Sequence, residues 1–417
     1  MHLSAVEQSE VVMAVVQIQM SKAKQLTGFA LFNLGFRPFF LGAGVFAMLS
    51  IASWLGIYHL PGLVEISHIS PSQWHAHEML YGYGMAVVSG FLLTAVKNWT
   101  GVQTLHGKPL LGLFALWCVA RVLFLFGTNL LAWAAIADLL FGFLLILAIA
   151  TPIIKAKQWP QLAVISKVLL LWVGNIVFYL GSFGLLDGGM LYAINGVLFV
   201  FVSLILMIGR RVIPFFIERG VAHLVTEKIQ LRQYKWLDIS ILMVFLALFL
   251  NEIFVHVAGI SSWLALALFA LNGYRLYNWH TPALWRVPLV WSLYVASWLI
   301  NLGFLIYGLQ TQLGIAAVLM LHLFTIGGIG LMTLSMMSRV ALGHSGRDIK
   351  ALSPWMKLAF ALIVLSAVFR IVLPLLMISH YPTWIMISGV CWIMGFALFL
   401  LVYTPILCKP RVDGTYG

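Results

Sequence analysis

A chain of 417 residues with 62% hydrophobic and only 9% charged side chains is no soluble globular protein, which carries roughly a quarter charged residues. Its net charge of +12 would suit nucleic acid if Lys and Arg shared one solvated face. They fall instead in short connections between apolar stretches, so nucleic acid is set aside as a partner.

The apolar stretches run to about 20 residues, the length a helix needs to cross hydrocarbon at 1.5 Å per residue. They lack the period-2 alternation of a β-barrel strand. In chain order they predict twelve spans, at about 35–57, 78–97, 110–127, 130–154, 162–184, 190–213, 237–257, 261–279, 288–309, 313–337, 355–379 and 384–407. The expected fold is therefore all-α: a polytopic integral membrane protein with 12 transmembrane helices, one domain over residues 1–417. Ahead of the first span, Val11–Phe32 mixes apolar residues with Lys22 and Lys24. This predicts an interfacial amphipathic segment within a cytoplasmic 1–32, with no signal-peptide order of basic head, apolar run and cleavage site.

Lys and Arg mark the orientation, because cytoplasmic loops collect them. The N-terminus has Lys22, Lys24 and Arg37, the second loop Lys97 and Lys108, and the fourth Lys155 and Lys157. The sixth holds Arg210, Arg211, Arg219, Lys228, Arg232 and Lys235, and the eighth Arg275 and Arg286. The tenth has Arg339, Arg347 and Lys350, and the C-terminus Lys409 and Arg411. The odd-numbered loops hold none, including Tyr58–Gln73, which has Glu65 and two histidines instead. Both termini are expected in the cytoplasm, with anionic lipid as a partner of the basic side.

Polar residues inside spans are costly at membrane depth and point to function. The second span opens on Trp74-His75-Ala76-His77-Glu78-Met79 at its outer mouth. His77 and Tyr81 share a helix face, and His75 points about 200° away. Arg121, Asp138, Asn251, Glu252, His256 and Arg370 fall in the outer half of their spans. In the tenth span His322 lies nine residues past Leu313, roughly 13 Å deep, and is followed by Thr325, Gly327, Gly328 and Gly330. Such small residues let a flat cofactor or a second helix approach. Neutral imidazoles ligate haem iron, copper and zinc, so His75, His77 and His322 are the candidate metal ligands. Arg121 and Arg370 are the candidate partners for haem propionates, since guanidinium pairs bidentately with carboxylate.

Each of these residues also has a structural alternative. The arginines can pair with Asp138, Glu252 or backbone carbonyls; His322 can be a hydrogen-bonded packing residue; the HxH pair can be an interfacial anchor. His59, His68, His106, His223, His280 and His380 lie in loops or at span ends and read as solvated. Cys118, Cys391 and Cys408 form no CxxC pair, which leaves no disulfide framework or thiolate site. A second candidate site gathers Arg37, Arg210, Arg211, Arg339, His344 and Arg347 near the inner ends of the first, sixth and tenth spans. It would take an anion or lipid headgroups, or else express only the positive-inside bias.

Several blocks resemble the NnrS family of bacterial membrane proteins. They are Gly35-Phe36-Arg37-Pro38-Phe39-Phe40, the Trp74–Met79 run, Gly90–Val96 with Asn98-Trp99-Thr100-Gly101, and Gly209-Arg210-Arg211-Val212-Ile213-Pro214-Phe215-Phe216. The last runs from His322 through Met332-Thr333 and Ser338-Arg339-Val340 to Leu342-Gly343-His344-Ser345-Gly346-Arg347. The resemblance implies a multi-pass protein of the bacterial inner membrane that carries haem and copper and is tied to nitric oxide and denitrification. In the ninth span the family often has a Leu-His pair where this chain has Leu293-Tyr294, which weakens the case for copper. Haem–copper oxidases and nitric oxide reductases offer a fold-level analogy, with a haem held between their second and tenth helices. The sixth and seventh spans lack the imidazoles of a binuclear centre, with only His256 between them.

The leading expectation is a b-type haem near the outer half of the bilayer, ligated by His322 with His77 or His75. It would bind or reduce nitric oxide and relieve nitrosative stress, using electrons from a quinol or redox protein. The rivals are a secondary transporter of a small molecule or metal, and a haem-based nitric oxide sensor or sink without turnover.

Overall fold

The computed structural model describes residues 28–60, 69–227 and 229–417. Among them the chain forms twelve long helices and no strand. Eleven are long and apolar enough to cross a membrane: α1 (Phe36–His59), α2 (Pro71–Thr100), α3 (Gly107–Phe124), α4 (Leu131–Lys155), α5 (Trp159–Ser182), α6 (Gly189–Val221), α7 (Lys235–Val255), α9 (Pro288–Leu313), α10 (Ala317–His344), α11 (Pro354–Leu376) and α12 (Ile378–Cys408). The twelfth, α8 (Ala258–Trp279), packs between α7 and α9, where the eighth span was expected. Asn272, Arg275 and Asn278 lower its apolarity. The protein is thus an all-α, multi-pass membrane protein. The amphipathic segment expected over Val11–Phe32 falls mostly outside the described residues, and its described end from Gly28 is not helical.

Local chemistry sets the helix ends. α2 starts with a capping box: the Ser70 hydroxyl accepts from the Gln73 amide at 3.3 Å, and the Gln73 side chain accepts from the Ser70 amide at 2.9 Å. Pro71 follows at the first helical position, where a missing N–H costs nothing. The start is seven residues earlier than the expected 78, so the histidines lie within the first two turns rather than at the mouth. α2 ends at Gly101, whose φ of 69° is the left-handed cap that suits glycine. α10 begins at Ala317 rather than 313 and continues to His344, so His322 is five residues in, roughly 8 Å along the axis. α6 likewise outruns its expected end at 213 and reaches Val221, shortening the cytoplasmic connection that follows.

Burial orders the bundle. α2 is the most enclosed span, with 83% of its apolar window buried, followed by α10 at 61%, so the two histidine-bearing helices form the centre. The outer helices turn Leu, Ile, Phe and Trp outward, as lipid contact requires. α1 packs on α12, and the segment just ahead of α1 meets the end of α12: the Ala30 amide donates to the Cys408 carbonyl at 2.9 Å. Arg37, wholly buried, donates to the carbonyls of Leu407 and Lys409 at 2.8 and 2.7 Å. An even number of helices puts both described ends on one face, the face that carries the basic loops.

Four helices widen into π turns: α2 at Glu78–Gly84, α7 at Asn251–Val255, α10 at Leu323–Gly330 and α11 at Val368–Val372. Such turns concentrate at functional sites. Three of the four wall one cavity.

Candidate functional site

A cavity of about 150 Å³ opens between α1, α2, α6, α10, α11 and α12 in the outer half of the bundle. Most of its wall is apolar, from Ile51 and Leu55 on α1 through Ile194 and Leu198 on α6 to Ile385 and Trp392 on α12. Its polar groups include His75 from α2, His322 and Thr325 from α10 and Arg370 from α11, with the mutually bonded Ser366 and Ser388 elsewhere in the wall. Lower down, the hydroxyls of Tyr83 and Thr333 lie 2.5 Å apart and tie α2 to α10.

The two imidazoles face one another across this space. Their ring centroids are 6.4 Å apart and their planes differ by 8°. With metal–nitrogen distances of about 2 Å, two imidazoles sharing one ion have centroids roughly 6 Å apart. The Nδ1 of His322 lies 2.6 Å from the Val318 carbonyl and donates to it. That bond places the proton on Nδ1 and leaves Nε2 as the free lone pair, the arrangement usual for a metal-bound histidine. His75 is packed on its other side by the Trp54 indole, at 4.6 Å and 21°. Its buried Nδ1 has no hydrogen-bond partner, an expense that a native site ordinarily explains.

Arg370 is buried to 7% exposure and donates to the Tyr381 hydroxyl at 2.9 Å, with its guanidinium 5.3 Å from that ring. Among the described residues no carboxylate lies within ion-pair distance of it. An uncompensated guanidinium at this depth is ready to receive an anionic group.

His77 and Arg121 do not join this cavity. His77, fully buried, lies on the opposite face of α2 against Phe124 and Phe178. Both ring nitrogens are taken: Nδ1 lies 3.0 Å from Glu78 and Nε2 3.1 Å from the Asn175 side-chain oxygen. Arg121 bridges Glu78 and Asp138 in a closed pair of ion contacts. Asn175 and the Tyr179 hydroxyl donate to Asp138 at 3.1 and 3.2 Å. The cluster pins α2 to α3, α4 and α5. Of the five residues expected around a haem, the fold brings together His75, His322 and Arg370, and assigns His77 and Arg121 to this second network.

The cytoplasmic candidates also separate. Arg37 caps the carbonyls of α12, Arg210 pairs with Asp238 at 3.2 Å, and Arg211 is exposed. His344 rests on Phe36 at 5.9 Å. Only Arg339 and Arg347 share a cavity, described below. Trp54, Tyr381 and Tyr83 had no signal in the sequence beyond being aromatic residues near span ends. Tyr294, in the place of the family's histidine, is buried and donates its hydroxyl to the Leu276 carbonyl at 3.1 Å. Among the described residues no three His, Cys, Asp or Glu side chains are grouped to hold a metal ion, and the three cysteines are free. The residues present therefore fit a cofactor that needs two imidazoles and an anion partner. They do not supply a copper site of three or more such ligands.

No curated protein matches the chain. A family profile does, described as NnrS protein and covering residues 30–411. With nearly the whole chain matched, from Ala30 ahead of α1 to Arg411 beyond α12, this protein belongs to the NnrS family.

Proposed function

We propose that the protein binds a b-type haem between His75 and His322 and serves nitric oxide metabolism at that centre. Membership of the NnrS family links the chain to nitric oxide-related function. The observation that carries the haem reading is the pair of near-parallel imidazoles 6.4 Å apart beside an apolar-walled cavity. When bound there, haem supplies an iron that takes nitric oxide and exchanges single electrons.

The chain's own residues prepare the site. Val318 fixes the His322 tautomer, so Nε2 is the anchored ligand. His75, whose buried Nδ1 has no hydrogen-bond partner, would be the less firmly oriented of the two imidazoles holding the group. Tyr381 holds Arg370, which would take a propionate, and the apolar walls would keep out water that competes with an uncharged gas. Electrons come from a quinol or a redox protein, since the chain carries no flavin, iron–sulfur or c-type haem motif. The apolar lining and the facing imidazoles favour this reading over a transporter of charged solutes. No site is assigned to copper.

The test is a visible spectrum of the detergent-purified protein expressed with ample haem. A Soret band that sharpens on dithionite reduction and shifts when nitric oxide is added is the expected result. A haem-replete preparation with no chromophore would overturn the proposal and return the transporter reading.

A further inference from the structure

On the opposite face the inner ends of α6 and α10, the connection before α9 and the loop after α10 line a cavity of about 540 Å³. Arg219, Arg286, Arg339, Arg347 and His223 reach it. Lys350 adds a fifth fixed cation, and Asp348 is the one carboxylate in the wall.

A positive-inside bias accounts for basic residues on this side, but such residues ordinarily keep their heads in water or among headgroups. Arg339 does neither. It is 8% exposed, and among the described residues it has neither an ion pair nor a hydrogen bond. Its guanidinium lies 3.7 Å from the centre of the Phe216 ring. The ring holds the flat cation in place and leaves its N–H edges open to the cavity. Arg347 has a buried Nη1 with no partner, and burial lowers its pKa. Two guanidiniums without acceptors, in a pocket with four more basic side chains, form a donor-rich and strongly positive enclosure. A single carboxylate ligand would leave most of those donors unmet. A phosphate offers several acceptor oxygens and up to two charges, and guanidinium matches it bidentately.

We infer that this cavity is a binding site for a phosphate group, with Arg339 and Arg347 as its inner donors and Arg219 and Arg286 on its rim. The phosphate belongs to a soluble cytoplasmic compound or to the headgroup of an anionic lipid. The site is independent of the haem proposal, because it lies on the other face of the bundle and shares no residue with it.

The experiment uses the delipidated full chain in neutral detergent. Pyrophosphate is titrated by calorimetry, and retention of phosphatidylglycerol against phosphatidylcholine is measured by native mass spectrometry. Binding of pyrophosphate alone identifies a soluble phosphate ligand; selective retention of phosphatidylglycerol alone identifies a headgroup; both together identify a site indifferent to the source. In each of these outcomes Arg339→Gln weakens binding at least tenfold and Arg286→Gln weakens it measurably, while exposed Arg211→Gln leaves it unchanged. Should Arg339→Gln not elute as a single species, the rim variant Arg286→Gln carries the comparison. The inference is overturned if neither probe binds, or if Arg211→Gln costs as much as the cavity variants, which would reveal only a diffuse positive field.

Discussion

His75 and His77 leave α2 on opposite faces, and what each does follows from what its face meets. His75 meets an indole and a second imidazole beside a cavity; His77 meets carboxylate and amide oxygens in a filled core. The two-residue offset is readable in the sequence, and so is the separation of the rings it forces. Which ring meets His322 is not, because it depends on which helices flank α2. The same holds for the arginines. Arg121 and Arg370 look alike as buried guanidiniums in the outer half, and only the fold gives Arg121 two carboxylates and leaves Arg370 a phenol. Substitution should expose the difference. Glu78→Ala leaves Arg121 with one partner at a fully buried site and should cost about 3–5 kcal/mol. A lower thermal unfolding midpoint would register that loss, with haem per folded molecule unchanged. Arg370→Gln should do the reverse, lowering the haem-to-protein ratio severalfold with a near-native midpoint. Equal haem retention in Arg370→Gln and the parent would remove Arg370 from the site.

At the level of elements, the twelve helices were legible from apolar length, and most ends fell within a few residues of those expected. The π turns were not. Each widens an i→i+4 helix to i→i+5 and so changes the angle at which neighbouring side chains leave it. In α10 the wide turn directly follows His322, so the histidine is set about 100° from where an uninterrupted α-helix would put it relative to the cytoplasmic half. Deleting Ile326 should restore the α register, swing His322 off the cavity and abolish haem binding in a protein that still folds. The glycines of these turns are held by close packing. A Cβ on Gly330 would come within 2.5 Å of Trp392, and one on Gly82 within 2.2 Å of Phe46, whereas one on Gly112 meets nothing within 4 Å. Small residues at such crossings let helices approach. Gly330→Val should therefore lower the unfolding midpoint by several degrees, and Gly112→Ala should leave it in place.

Over the whole molecule, charge and apolar length together set the architecture, and α8 shows why both were needed. Its Asn272, Arg275 and Asn278 make it too polar to qualify on hydropathy, yet the alternation of basic loops requires a crossing there. The contact between the start of α1 and the C-terminal segment had no sequence signal. It rests on Arg37 beneath α12 and on a C-terminal hook in which Arg411 and Thr415 bond Asp413. Those bonds hold the Asp413 carboxyl well below its ordinary value of 3.8, so the hook is intact at neutral pH and weakens only as strong acid protonates it. Asp413→Asn should expose residues 411–417 to carboxypeptidase at pH 7 without altering the visible spectrum. Two sites then share one bundle: a cavity with two imidazoles toward the outside and a basic cavity toward the cytoplasm.

The central claim is that His75 and His322, not His77, hold the cofactor. Haem-to-protein ratio and visible spectrum of His75→Ala, His77→Ala and His322→Ala, purified side by side, test it most directly. The account predicts no haem in His322→Ala, a depleted and spectrally altered haem in His75→Ala, and a parental spectrum in whatever fraction of His77→Ala folds. A His77→Ala protein that folds without haem, beside a His75→Ala protein with the parental spectrum, would contradict it.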